Sequence, residues 1–293
     1  MASHLELRAL AKVYAGFTLG PLNLSFAPGR VHGLLGANGA GKTTMLSMIT
    51  LQTRATSGTM LCGSEPILWG DAAWKERVAY VRETPALYDE LTVAESIRFA
   101  SRLYGRWDAP VASRMIARLG LRNDQRVKTL SKGTRVKLGI AIALAQRAEL
   151  LILDEPTAGV DPTAREELYE ILGDLRRQYP ELCIVFSSHI FEDLETLADE
   201  VVILHGGEVA FQSSREQLQS MALYCLPPGL SVPDGEDVAL KWAARGQSWV
   251  MIRRGSGTAA RLVAMSGCVE ETSVSLLSAA YRAVGRIAQQ EAQ

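Results

Sequence analysis

The sequence predicts an α/β protein centred on a parallel sheet, and three observations predict it. The apolar segment Val31 to Leu35 runs directly into Gly36-Ala37-Asn38-Gly39-Ala40-Gly41-Lys42-Thr43, a glycine-rich turn with the spacing that cradles phosphate. Leu150-Leu151-Ile152-Leu153 and Leu182-Cys183-Ile184-Val185-Phe186 are short runs without a polar residue on either face, as in strands covered on both sides. Each is followed by a polar turn and a helical pattern, and strand alternating with helix implies parallel pairing.

The remaining elements follow in chain order. Alternation in Leu5-Glu6-Leu7-Arg8-Ala9-Leu10 and Leu22-Asn23-Leu24-Ser25-Phe26 predicts antiparallel strands, with Pro28-Gly29 as the turn into the phosphate-loop strand. A helix is expected from Lys42 to Leu51. Between about 84 and 130 the pattern is helical, with one helix from Val93 to Tyr104 and another from Ala109 to Leu119. Ser131 caps a further helix to about Gln146, so an all-helical insert spans about 84–147. Asp161-Pro162 sets an N-cap before a proline at the first helical position and starts a helix to about Gln178. Val201 to Leu204 and Glu208 to Phe211 read as a hairpin through Gly206-Gly207.

Beyond Leu218 the texture changes. Leu226-Pro227-Pro228-Gly229 and Val232-Pro233-Asp234-Gly235 are loop signals, Trp249 to Ile252 is strand-like and Val274 to Ile287 helical. We therefore expect a main domain over 1–220 and a small α+β appendage over 221–293. The appendage reads equally as a dimerisation element, a regulatory unit or a cover for the core.

With 47% hydrophobic residues among 293, the chain can bury a substantial core. Lys and Arg at 31 against Asp and Glu at 32 leave a formal charge of -1, so no overall field favours nucleic acid, and no nucleic-acid partner is expected. Cys62, Cys183, Cys225 and Cys268 have neither metal-ligand nor disulfide-framework spacing and read as reduced thiols. Met1-Ala2-Ser3-His4-Leu5-Glu6 lacks a basic and apolar leader, and the longest apolar run is near Leu138 to Ala145. Neither a secretion signal nor a membrane span is expected.

Glycines at 36, 39 and 41 allow a tight wrap with N–H groups pointing inward, Lys42 adds a charge for the terminal phosphates, and Thr43 offers a hydroxyl to Mg2+. The helix that follows presents its positive end to the same anion. Asp154-Glu155 closes the strand at 150–153. An aspartate there can hold a hydrated Mg2+ bridging the phosphates, and Glu155 can polarise a water. A lone Asp-Glu pair is more often a solvated loop; four apolar residues before it and Pro156-Thr157 after it favour the site.

Taken together, these motifs resemble the ATP-binding cassette ATPases over about residues 5–215. Leu150 to Glu155 is similar to the family's Walker B strand with its catalytic glutamate, and Ala158-Gly159-Val160-Asp161 to the D-loop. Ser187-Ser188-His189 matches the switch histidine that contacts the γ-phosphate. Leu130-Ser131-Lys132-Gly133-Thr134 resembles the signature motif, which in the family meets the γ-phosphate held by a second protomer. Tyr14 stands where the family stacks an aromatic ring on adenine, with edge-filling as the rival role.

The resemblance implies a P-loop NTPase core binding ATP and Mg2+. It implies nucleotide contacts at Tyr14, Gly36, Asn38, Gly39, Ala40, Gly41, Lys42, Thr43, Thr44, Ser131, Gly133 and Asp161. It implies catalytic Glu155 and His189, with metal held through Thr43 and Asp154. Lys132 stands where glycine is usual, Thr134 where glutamine is usual, and Glu83 in Tyr80-Val81-Arg82-Glu83-Thr84-Pro85 where the Q-loop has glutamine. A carboxylate can still contact magnesium but removes an amide donor, so Glu83 is expected to act as a catalytic, metal-sensing residue, against a solvated loop carboxylate.

About 110 residues separate Lys42 from Asp154, too few for the long coiled-coil insert of the chromosome-maintenance branch. Leu87 to Glu95 and Tyr104 to Asp108 resemble the export branch, which includes antibiotic-resistance, lantibiotic-immunity and cell-envelope systems. The resemblance implies an integral membrane permease as partner, docked in a groove near residues 84–92. It also implies a homodimer or heterodimer of nucleotide-binding subunits, in the cytoplasm on the inner face of the membrane. The alternatives are a soluble ATPase acting on nucleic acid or the ribosome, or an ATP-binding regulator.

Overall fold

The computed structural model describes residues 4–227, 235, 237–244, 247–265 and 267–291, with 288–291 described by backbone only. Residues 1–3 of the leader reading and most of the proline-glycine loop signals at 228–234 lie outside the described residues.

The chain opens with β1 (Leu5–Tyr14) and β2 (Phe17–Phe26), an antiparallel pair in which Leu5 stands opposite Phe26 and Leu7 opposite Leu24. β3 (Val31–Leu35) is buried at every residue and leads into α1 (Lys42–Ile49). That helix stops short of the expected Leu51, which has a φ of +54° incompatible with continuing it. Thr50 closes the end by donating its hydroxyl to Leu46 O at 3.0 Å. β4 (Ser57–Cys62) and β5 (Glu65–Pro66) complete an outer sheet of order β2-β1-β4-β5.

α2 (Ala72–Arg77) follows, with Asp71 as its N-cap. Its Trp74 indole donates to Ile49 O at 2.7 Å, so α2 braces the far end of α1. β6 (Val78–Val81) enters the central sheet, and the helical insert then supplies α3 (Val93–Leu103), α4 (Ala109–Arg118) and α5 (Lys132–Ala145). Thr92 and Glu95 form a reciprocal capping box at α3 and Asp108 caps α4. Buried Gln146, just past α5, donates to Glu76 O and Val78 O, both at 3.2 Å, and fixes the insert against β6.

β7 (Leu150–Asp154), α6 (Pro162–Gln178), β8 (Cys183–Ser188), α7 (Phe191–Leu197), β9 (Glu200–His205) and β10 (Glu208–Ser214) return the chain to the sheet. Its order is β10-β9-β3-β8-β7-β6, parallel except for the hairpin strand β10. β8 therefore separates β3 from β7, and parallel direction places the C-terminal ends of all three along one sheet edge. Ligands bind at that edge in open α/β sheets.

After α8 (Arg215–Gln219), a third sheet begins at Met221: β11 (Met221–Leu226), β12 (Val238–Ala244) and β13 (Gln247–Arg253), then α9 (Gly257–Val263), β14 (Val269–Glu271) and α10 (Leu276–Glu291). α10 starts two residues later than the sequence pattern suggests because Ser275 accepts from Ser278 N at 3.1 Å and caps it. β11 alternates faces: Ala222, Tyr224 and Leu226 pack on α9, while Leu223 joins Met251, Trp242 and Leu277 in the cluster that continues into the main sheet. The appendage thus shares its core with the rest of the molecule.

His32, on β3, is buried and accepts from Ala27 N at 3.0 Å through Nε2, which needs the neutral ring. Burial lowers its pKa from 6.5 to about 4. The unfolded chain therefore binds the extra proton first, and stability contributed by neutral His32 is complete above pH 6.5 and lost as pH falls toward 4. Denaturant midpoints measured across this window should fall for the wild type by the equivalent of roughly 3 kcal/mol, and His32→Gln should flatten that slope; equal slopes would refute the assignment.

Candidate active site

The loop between β3 and α1 is shaped by close approach. A Cβ on Gly36 would stand 2.7 Å from Leu204 O and 3.0 Å from the Ala40 methyl. Gly41 has a φ of +106°, and a Cβ there would meet Leu19 Cδ1 at 2.6 Å. Only glycine takes both positions without displacing backbone or core. Ala37, Asn38 and Gly39 are exposed at the rim, Ala40 is buried, Thr43 is exposed and Thr44 half-buried.

Lys42 lies beneath this loop. Its Nζ donates to Gly36 O at 2.6 Å and stands 3.1 Å from Glu155 Oε1, with both side chains nearly inaccessible at 6% and 10% exposure. Glu155 Oε1 is otherwise without a hydrogen-bond partner, while Oε2 pairs with His189 Nδ1 at 2.8 Å. Glu155 has a φ of +48°, a backbone state that costs a non-glycine residue on the order of 1–3 kcal/mol and clusters at functional sites. Its N–H donates to Ser187 Oγ at 2.9 Å, which holds the turn in that state.

Asp154 is held at both oxygens. Ser187 Oγ donates to Oδ1 at 2.6 Å and the Tyr80 hydroxyl to Oδ2 at 2.8 Å. Burial, followed by the adjacent carboxylate, pushes the Tyr80 phenol far above its ordinary range, so it remains a donor. Deeper still, Asp193 on α7 is fully buried and accepts from Thr157 Oγ1 and Ser188 Oγ, both at 2.5 Å, and from Arg165 Nε at 2.8 Å. Thr157 lies two residues after Glu155 and Ser188 directly precedes His189, so one carboxylate ties together the two turns carrying Glu155 and His189. His189 is half-exposed; an Nδ1–H given to Glu155 leaves Nε2 for another partner.

A second group of expected residues assembles apart from the first. Ser131 caps α5 by accepting from Thr134 N at 3.2 Å, and Gly133 is close enough to α6 that a Cβ would touch Val160 and Ala164 at 3.4 Å. Asp161 caps α6 by accepting from Ala164 N at 3.0 Å. Glu83 is exposed and its Oε1 lies 3.2 Å from Lys132 Nζ. The two departures at 83 and 132 thus face each other as an ion pair. Among the described residues, no hydrogen bond or ion pair links Ser131, Lys132 or Gly133 to the loop at 36–43. Tyr14 ends β1, is 44% exposed and has Lys12 Nζ 5.2 Å from its ring centre.

Sequence reasoning missed Tyr80, Asp193 and the hydroxyl of Ser187 as members of the site. Only Ser187 carried a signal, as part of the Ser187-Ser188-His189 run. Tyr80 sits 74 residues from Asp154; Asp193 lies only five residues from Ser188 but 36 from Thr157, and the sheet order joins these distant pairs.

Residues 19–158 match the family model described as "ABC transporter". The chain is 36% identical to the ABC transporter ATP-binding protein NatA of Bacillus subtilis, over 67% of this chain and 82% of that protein. It is 31% identical to the lantibiotic transport ATP-binding protein SrtF of Streptococcus pyogenes, over 74% of this chain and 93% of that one. A solved structure of an ATP-binding subunit of an ABC transporter superposes with a TM-score of 0.65 at 29% identity, over 73% of this chain and 91% of that one.

Removing one partner of a buried ion pair strands the other charge, at a cost of about 3–5 kcal/mol. Lys42→Ala should therefore lower the thermal midpoint as well as nucleotide binding. Adding Glu155→Gln to it should recover most of the midpoint but none of the binding. A double variant no more stable than Lys42→Ala would show that the contact is not what destabilises the single variant.

Proposed function

The chain belongs to the ABC transporter ATP-binding proteins, and from that premise we propose that it is the ATP-hydrolysing subunit of an exporter, driving a separate permease. The observation that carries this reading is Glu155, held between Lys42 at 3.1 Å and His189 at 2.8 Å at the mouth of the phosphate loop. With ATP bound, the γ-phosphate takes Lys42 as its counter-ion and frees Glu155 Oε1 to accept a proton from the attacking water. His189 then reaches the phosphate side while its Nδ1 keeps Glu155 oriented. Ser131 and Gly133, remote from the chain's own loop, serve the loop of a second protomer, and Asp161 lies beside them at the same face. Tyr14 stacks on the adenine.

The donors present suit Mg2+. It takes few protein ligands and completes its shell with water and phosphate, and Asp154, clamped by Ser187 and Tyr80, offers a fixed carboxylate that would hold the ion together with the Thr43 hydroxyl. Bound there, the ion would neutralise charge building on the phosphate oxygens. Glu83 joins this set in the dimer, and Lys132 offsets the negative charge it adds. The pairing of these two residues supports reading both substitutions as one adaptation.

Among the described residues no helix is long and apolar enough to cross a membrane. A permease would supply the span, with this chain on its inner face. A groove of about 220 Å³ between β6 and the insert, lined by Leu87, Tyr88, Leu91, Phe99 and Leu103, supports that partner. Tyr88 and Leu103 expose 61% and 62% of their surface there, and such a groove takes the apolar face of a short helix.

Glu155→Gln should retain ATP binding, lose turnover by at least about 100-fold and give an ATP-dependent dimer in size-exclusion chromatography. Wild-type turnover in that variant would remove Glu155 from the mechanism. Glu83→Ala and Glu83→Gln should both raise the Mg2+ concentration needed for half-maximal hydrolysis; an unchanged metal response in both would leave Glu83 as a surface carboxylate.

A further inference from the structure

The C-terminal unit carries a second cavity, of about 260 Å³, between its sheet and α10. Its wall is formed by Trp242 and Trp249, cross-strand partners on β12 and β13 whose rings stack 6.2 Å apart at 11°. Leu223 lies in the floor, Gln247 at the rim, and Arg282 and Arg286 come from one face of α10, a turn apart. Among the described residues, no acidic side chain lines it.

Chemistry and size limit what fits. A dry cavity of roughly 150 Å³ holds a benzene, so this one accommodates two fused rings. Indole faces favour a planar apolar body. Arg282 and Arg286 make no hydrogen bond or ion pair among the described residues, whereas Arg253 and Arg254 of the same unit pair with Asp237 and Glu270. Two guanidinium groups without a partner among the described residues, at the mouth of an aromatic pocket, select a carboxylate, sulfonate or phosphate on that body.

The cavity is also wired to the catalytic turn. Tyr281, next to Arg282 on α10, packs edge-on against Phe191 with ring centres 5.1 Å apart at 74°. Phe191 opens α7, two residues after His189 and two before Asp193, which holds the turns of Glu155 and His189. α10, which covers the cavity, therefore packs directly on the helix that begins two residues after His189.

We propose that this cavity binds a small aromatic anion and that α10 conveys its occupancy through Tyr281 and Phe191 to His189, making the C-terminal unit a regulator of the ATPase; the regulatory half rests on the function proposed above. Binding is read without nucleotide, so its failure is distinct from failure of the ATPase assignment. Naphthalene-2-sulfonate titrated into the full chain in a calorimeter should bind at one site, about tenfold or more tighter than the uncharged naphthalene-2-sulfonamide. Arg282→Gln/Arg286→Gln should abolish that preference. Equal affinity for the two probes, or a preference untouched by the arginine replacements, would overturn the site. Arginine-dependent binding to phosphatidylglycerol vesicles without saturable binding of the free sulfonate would overturn it in favour of a membrane surface. In steady-state assays the sulfonate should change ATP hydrolysis by about twofold or more in the wild type. Tyr281→Ala should still bind it and show no change; an equal response in both proteins would refute the route through Tyr281.

Discussion

The candidate site is built around two buried opposite charges, Lys42 and Glu155, held 3.1 Å apart. Neither is stable alone in a water-poor setting, because an uncompensated buried charge costs several kcal/mol. They belong to different strand ends separated by more than a hundred residues. The order β3-β8-β7 is what brings those ends to one edge, and β8 between them contributes Ser187 and the turn that carries His189. In the mechanism proposed above, charge compensation and hydrolysis use the same atoms: the lysine that neutralises Glu155 is the one a phosphate would recruit.

Around that contact, hydroxyl groups do the orienting. Ser187 and Tyr80 each fix one oxygen of Asp154, and Thr157 and Ser188 converge on Asp193. Ser187 Oγ also accepts from the N–H of Glu155, whose left-handed backbone conformation is rare for a residue other than glycine. Asp193 also links inward to α6 through Arg165 and outward, along α7, to the aromatic contact with α10. The turns of Glu155 and His189 and the C-terminal unit therefore contact the same short helix.

The pairing of Glu83 with Lys132 bears on how departures from a family pattern are read. Taken singly, a carboxylate in the Q-loop adds negative charge near phosphate, and a lysine in the signature adds bulk where glycine is usual. Side by side at 3.2 Å they cancel in charge. An exposed pair of this kind contributes little to stability, so its interest is electrostatic and local to the site.

The sequence by itself determined the phosphate loop, the acidic strand end, the caps at Ser131 and Asp161, and the strand-helix alternation, because each is encoded by neighbours a few residues apart. Steric demands on glycine, capping geometry and two-faced burial are local rules, and they set Lys42 at the start of a helix and Asp154 at the end of a strand. What only the tertiary structure decided is which of these meet. Tyr80 on Asp154, Asp193 beneath the catalytic turns, Lys132 on Glu83, and a C-terminal sheet sharing the main core through Leu223 and Met251 all depend on sheet order and helix packing. Those arise from the summed burial of many apolar residues, a property of the whole chain that no short window of it carries.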